Sequence, residues 1–298
     1  MPEFGRLLTA MVTPFAPDGS VDYDTARRLA VALLDSGSDG VLVAGTTGEV
    51  PTLSHDEKPR LFREVKSAVG DRGSVIAGTG TSNTAESVDL TREAEREGVD
   101  GVLAVTPYYS KPTQEGLVRH FEAIAAATRL PCLMYNLPAR TCVNMTAETT
   151  IRLSRVENIA GVKEASGDFE QIARIIEGAA DGFRVWSGND ADTLPVLGIG
   201  GYGVISVISH VVGRQIRSMI DDAVAGRLPE AARAHRRLLP LVDALFLVTN
   251  PIPVKYALGQ LGFPVGGLRL PLCGPDDSTA ERIMAEVRRH TIDLPVPV

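Results

Sequence analysis

The sequence predicts an α/β fold, a (β/α)8 TIM barrel with a C-terminal helical extension. Short apolar runs alternate eight times with amphipathic segments over roughly the first 225 positions. That alternation argues for a parallel sheet. The tetrapeptide Asp39-Gly40-Val41-Leu42 recurs as Asp100-Gly101-Val102-Leu103, and Gly40, Gly101 and Gly161 open apolar runs 61 and 60 residues apart. Two strand–helix pairs per interval give a repeat of about 30 residues, the size of a βα unit. The turn after the first run, Thr13-Pro14-Phe15-Ala16, lacks the glycines that an open, doubly wound sheet would place there. Closure into a barrel is then the natural solution.

The strands are expected at residues 7–15, 40–44, 74–79, 101–106, 131–136, 159–165, 183–187 and 203–208. Apolar runs of this kind suit strands covered on both faces. Asp22 is placed to cap a helix that stops at Gly37, and Ser54-His55-Asp56-Glu57 has capping-box spacing. Thr84 is expected to cap a helix ending at Gly98, and Pro59 to disturb the first turns of the second helix. After Gly226 the pattern becomes helical, over 229–248, 251–261 and 278–290. The expected organisation is a catalytic barrel domain at 1–225 and a helical domain at 226–298.

Composition narrows the function. The chain carries a net charge of −7 and no basic stripe, which argues against a nucleic-acid partner. Cys132, Cys142 and Cys273 are odd in number and show no CxxC spacing, so neither a disulfide framework nor a zinc site is expected. No apolar run has the length of a membrane span and no signal peptide is legible, which places the expected protein in the cytoplasm. The histidines His55, His120, His210, His235 and His290 are scattered, with no HxH or HxxxH pair. Metal-dependent chemistry is therefore not expected, and no cofactor motif is present.

In a barrel the C-terminal strand ends meet at one mouth. That mouth should collect Gly45-Thr46-Thr47-Gly48-Glu49, Tyr108-Tyr109, Tyr135-Asn136 with Arg140 beyond it, Lys163, and Ser187-Gly188-Asn189-Asp190. The run Ile159-Ala160-Gly161-Val162 leads straight into Lys163. A lysine at such a strand end can lay its stem on apolar surface and keep its head in water. Held inside a pocket, it loses its charge and becomes a nucleophile toward ketones. An amine gathered with hydroxyls at one mouth points to the second reading, Schiff-base chemistry. Tyr and Thr hydroxyls can shuttle its protons, and backbone N–H groups of a Gly-Thr-Thr-Gly turn opening a helix suit a keto-acid carboxylate.

The ordered motifs have a family likeness. Gly45-Thr46-Thr47-Gly48-Glu49, Ala77-Gly78-Thr79-Gly80, Thr106-Pro107-Tyr108-Tyr109 with Lys111-Pro112, and Tyr135-Asn136-Leu137-Pro138-Ala139-Arg140-Thr141 come first. Gly161-Val162-Lys163-Glu164-Ala165, Gly203-Val204-Ile205-Ser206-Val207 and Asn250-Pro251-Ile252-Pro253-Val254-Lys255 follow. Together, almost end to end, the chain resembles the dihydrodipicolinate synthases of the class I pyruvate-dependent aldolase family. The resemblance implies that Lys163 forms a Schiff base with pyruvate, that Tyr135 exchanges protons beside it, and that Thr46 relays them toward Tyr109 of a neighbouring subunit. It implies that Thr47 and the Ile205 backbone bind pyruvate, with Gly188 in the substrate-binding set, and that Arg140 holds the carboxylate of L-aspartate 4-semialdehyde. It also implies a homotetramer built from two dimers.

Relatives that cleave N-acetylneuraminate or keto-sugar acids keep the lysine and the first tyrosine. They often change the second threonine, the paired tyrosines or the arginine. Arg140 has the planar fork that suits a carboxylate rather than an uncharged sugar tail. A keto-acid-binding barrel without activity would be expected to have lost part of Lys163, Tyr135, Thr46 and Tyr109, and all four are present. Cys142, Asn144 and His210 depart from residues common in the family. At the position of the family's lysine-feedback site, His55, Glu86 and Tyr108 match, but Ser82 and Lys58 do not. Lys58 would set like charge against a cationic ligand, so feedback by lysine is expected to be weak or absent.

Overall fold

The structure is a computed structural model describing residues 4–296; the outermost positions of the two expected domains, 1–3 and 297–298, lie outside it. Eight strands, β1 (Leu7–Ala10), β2 (Gly40–Val43), β3 (Ser74–Gly78), β4 (Gly101–Val105), β5 (Cys132–Asn136), β6 (Ile159–Glu164), β7 (Arg184–Ser187) and β8 (Gly203–Ser206), form one sheet. Each pairs in parallel with the next, and β8 closes on β1 through Leu8↔Ile205.

Successive side chains on a strand face opposite sides, so each strand contributes to two layers. Leu8, Leu42, Ile76, Leu103 and Leu133 meet Phe4 and Trp186 inside the barrel. Their neighbours Val41, Val43, Val75, Val102 and Met134 pack outward, under the helices. The Trp186 indole fills the interior near the chain's start and donates its N–H to the Gly5 carbonyl at 3.0 Å. A Cβ on Gly161 would meet the Trp186 ring at 2.6 Å, which gives that repeat glycine a packing reason.

Local signals account for most helix starts. Asp22 accepts from Thr25 N at 2.9 Å and caps Tyr23–Asp35. Ser54 and Glu57 exchange backbone N–H and side-chain bonds at 2.8 and 3.2 Å, the reciprocal capping box. Two expectations are corrected. Asn83, not Thr84, caps Thr84–Arg96 by accepting from Ala85 N, while the Thr84 hydroxyl pairs with His120 Nδ1. Pro59 is the third residue of Glu57–Val69 and does not disturb it, because N–H groups in a first turn have no intrahelical acceptor to lose.

The expected strands 7–15 and 203–208 also run too long. β1 ends at Ala10, short of Pro14, and Phe15 turns back to bridge Val21 in antiparallel fashion. β8 ends at Ser206 because the next two amides bond the Asp190 carboxylate instead of a neighbouring strand. β2 stops at Val43 because Ala44 turns to φ 53°.

After Ser209–Val224, the last barrel helix, come Leu228–Leu245, Ile252–Gln260 and Asp277–Val287. Leu238, Leu241, Leu245, Ile283 and Val287 pack with Ile216 and Ile220 and reach Leu7 and Val204 on the sheet.

Candidate active site

Lys163 lies opposite Tyr135 across β5 and β6. Val162 packs outward, so the strand period turns Lys163 inward. The side chain is deeply buried, 5% exposed, with Nζ 4.5 Å from the Tyr135 ring centroid. Burial pulls the ammonium pKa from 10.5 down to about 8; the Asp190 carboxylate opposes this and the Arg140 charge adds to it. Gly188, at the end of β7, lets the chain approach: a Cβ there would meet Ala165 Cβ at 2.6 Å and Lys163 Cγ at 3.3 Å.

Burial pushes the Tyr135 phenol well above its usual value, while Arg140 and a hydrogen bond with Thr46 pull it back. Lys163, Tyr135, Thr46 and Thr47 share one pocket with a cavity of about 40 Å3, walled by Leu42, Leu103 and Val105. A small, mostly apolar pocket with a few converging polar groups suits a small organic ligand.

The loop after β2 carries both threonines. Gly48 N bonds Gly45 O, Glu49 N bonds Thr46 O and Val50 N bonds Gly45 O, at 3.0 to 3.3 Å. This corrects one expectation: the turn opens no α-helix. It runs into a short 3-10 helix, Val50–Thr52, and the next α-helix begins at Glu57. The turn therefore presents no α-helix N-terminus to a ligand. Glu49 takes a left-handed conformation (φ 54°) that drives its carboxylate inward. There Lys255 Nζ donates to it at 2.8 Å and Arg269 N at 3.0 Å. Lys255 also donates to Thr13 O at 2.9 Å, and Asn250 Nδ2 donates to Thr47 Oγ at 2.8 Å.

Asp190 is a site residue whose role the sequence reading missed, although its polar run at the mouth was visible. It is buried and accepts from Ser206 Oγ, from Val207 N at 2.9 Å and from Ile208 N at 3.3 Å. It thereby ties the β7 loop to the end of β8, where Ile205 lies buried in the barrel interior. Burial raises its pKa; its three donors and the Lys163 charge work against that rise.

Arg140 stands exposed on the short helix Pro138–Thr141, its Nη2 3.5 Å from Asn250 O. Of the expected site residues, Arg140, Ile205 and Gly188 are not part of the pocket lining, and neither is Tyr109. Tyr109 is 93% exposed, at φ 72°. Among the described residues no cluster of three or more His, Cys, Asp or Glu is placed to hold a metal, and no helix is long and apolar enough to cross a membrane.

Comparison with known proteins settles the lineage of this pocket. The model of the dihydrodipicolinate synthetase family matches residues 3–290. The chain belongs to that family. It is 58% identical over 296 residues to the 4-hydroxy-tetrahydrodipicolinate synthase of Dehalococcoides mccartyi strain 195, covering 99% of this chain and 100% of the relative. It is 60% identical over 283 residues to that of Symbiobacterium thermophilum, covering 95% of each. Among solved structures of the family, dihydrodipicolinate synthase DapA-2 of Bacillus anthracis superposes with a TM-score of 0.95 at 44% identity, over 97% of this chain and 99% of that one. A lysine-bound synthase of Cyanidioschyzon merolae gives 0.94 at 48% identity, over 96% and 97%.

Proposed function

We propose that the chain is a 4-hydroxy-tetrahydrodipicolinate synthase, joining pyruvate to L-aspartate 4-semialdehyde through a Schiff base on Lys163. The observation that carries the reading is the buried amine: with its pKa near 8, about one lysine in ten is neutral at pH 7. The neutral amine attacks C2 of pyruvate, and loss of water leaves an iminium. The iminium draws electrons from C3, whose proton departs to give an enamine. Tyr135, with the Thr46 side chain acting on its phenol, is placed beside Lys163 to move these protons. The enamine carbon attacks the aldehyde. The α-amine of the adduct then displaces Lys163 from the imine carbon, which closes the ring and frees the enzyme. No cofactor is required.

In this reading Thr47 binds the pyruvate carboxylate, with Gly188 and the Ile205 backbone closing the same end of the site. Arg140, at the entrance, takes the carboxylate of the semialdehyde through its planar fork. Tyr109 acts from a neighbouring copy, for which its exposure and left-handed backbone are suited. The working form is then a homo-oligomer, which we take to be a tetramer in the cytoplasm.

The test couples the product to its NADPH-dependent reductase, with Lys163→Ala as control. NADPH loss that requires the lysine is expected. Its absence alongside a borohydride-trapped pyruvate adduct would move the acceptor to another aldehyde, and absence of both would end the reading.

A further inference from the structure

We propose that Asn250, from the C-terminal segment, is the positioning residue that aims the Thr47 hydroxyl proton at the pyruvate carboxylate. The inference rests on the functional reading above and extends it to a residue outside the pocket wall. Asn250 Nδ2 donates to Thr47 Oγ at 2.8 Å, and both residues are buried. A threonine hydroxyl has one proton and two lone pairs. Once a lone pair accepts from Asn250, the proton is free to leave in another direction. Among the described residues no other hydrogen bond is made by that hydroxyl, and Thr47 lines the Lys163 pocket. A carboxylate can only accept, so the proton's direction decides whether Thr47 attracts or repels it.

The geometry carries a cost that marks this arrangement. Asn250 Oδ1 is buried and unpartnered. A side chain placed to fill space would avoid an orphan carbonyl, since leaving a buried acceptor unmade is unfavourable. What the amide supplies, and an apolar group of the same shape cannot, is a donor at Thr47. With the amide turned over, Oδ1 would claim the Thr47 proton and leave bare lone pairs facing the substrate. One turn along the helix that follows Asn250, Lys255 grips Glu49, two residues beyond Thr47. The loop is therefore held at two points by one segment, Asn250 and the helix that follows it. Arg140 contacts only the backbone carbonyl of Asn250, at 3.5 Å. Changes to the Asn250 side chain should thus reach pyruvate and spare the semialdehyde.

The experiment measures the pyruvate concentration giving half-maximal borohydride-trapped adduct on Lys163, by intact mass, together with steady-state constants for both substrates. The full chain is used as wild type, Asn250→Ala, Asn250→Asp, Thr47→Val and Thr47→Val/Asn250→Ala. Half-saturation by pyruvate should rise about tenfold or more in both Asn250 variants, the scale of a hydrogen bond to a charged group. The KM for the semialdehyde should hold within about twofold, and kcat at saturating pyruvate within about threefold. In the Thr47→Val background, Asn250→Ala should add nothing. The Asp variant keeps the shape of the side chain, so it stands in if the Ala variant folds poorly. An unchanged pyruvate dependence in both variants overturns the inference. So does a rise that persists undiminished without the Thr47 hydroxyl, or an equal rise for both substrates. If the wild type traps no pyruvate, the functional reading falls and takes the inference with it; if it traps pyruvate with the variants unshifted, only the inference falls.

Discussion

Replacing Lys163 with methionine should destroy activity and make the protein more stable at neutral pH. The amine titrates near 8 in the folded protein rather than at 10.5. That difference corresponds to about 3 kcal/mol of unfavourable burial of the charged form. The contact with the Tyr135 face works the other way, at about 0.5–2 kcal/mol, so desolvation prevails. Between about pH 8 and 10.5 the unfolded chain holds a proton that the folded chain has released, so stability contributed by this site rises with pH across that window. Below pH 8 both states are protonated and the full cost is present. Lys163→Met removes the charge at similar length and apolar volume. Urea unfolding of both proteins at fixed protein concentration, from pH 6 to 11, should show the variant ahead by about 3 kcal/mol at pH 7. The lead should shrink through the window and vanish near its upper end. A variant less stable than wild type at pH 7, or a difference that ignores pH, would refute the argument that burial drives this pKa.

Arg140→Leu should raise the KM for the semialdehyde about 100-fold, the scale of a lost bidentate ion pair, while pyruvate adducts still form. Because the Arg140 charge holds the Lys163 pKa down, the pH limb of adduct formation should move upward in that variant; a limb that stays or falls would contradict the electrostatic account. Glu49→Gln leaves the Lys255 ammonium buried without its partner and should lower unfolding free energy by about 3–5 kcal/mol, read from urea midpoints. Mixing inactive Tyr109→Phe with inactive Lys163→Met should restore about a quarter of the sites if tyrosine and lysine come from different copies in a two-fold pair; no recovery after subunit exchange would mean that both serve a site from the same chain. L-lysine should inhibit weakly, because half-buried Lys58 adds a positive charge among the residues expected to meet it, and half-maximal inhibition at sub-millimolar lysine would overturn that expectation.

The barrel was legible because its information is local. Runs such as Gly40–Val43 and Gly101–Val105 carry their strand character in a few adjacent residues, and Lys163 faces inward by the same two-residue period that hides Val162. The residues with named chemistry could be read because each sits at a strand's C-terminal end or in the segment that follows it. What was not legible depends on partners far along the chain. Strand β8 stops where it does because Asp190 captures two amides, a contact between loops that no local pattern contains. The choice of Asn83 over Thr84 as cap turned on His120, 36 residues away, taking the threonine hydroxyl. The links Asn250–Thr47 and Lys255–Glu49 span 203 and 206 residues. Their motif was visible as a run of letters, but its target was not.

The Lys255–Glu49 link also sets an order of events during synthesis. The β2 loop leaves the ribosome early, yet the helix that fixes it is made about 200 residues later. At roughly 5–20 residues per second, that is a delay of about 10–40 s. Until then Glu49 lacks its Lys255 partner, and the threonine loop is held by its own turn hydrogen bonds and by Thr13. A protein cut short before Lys255 would therefore leave Glu49 without its buried cation, whatever the state of its strands.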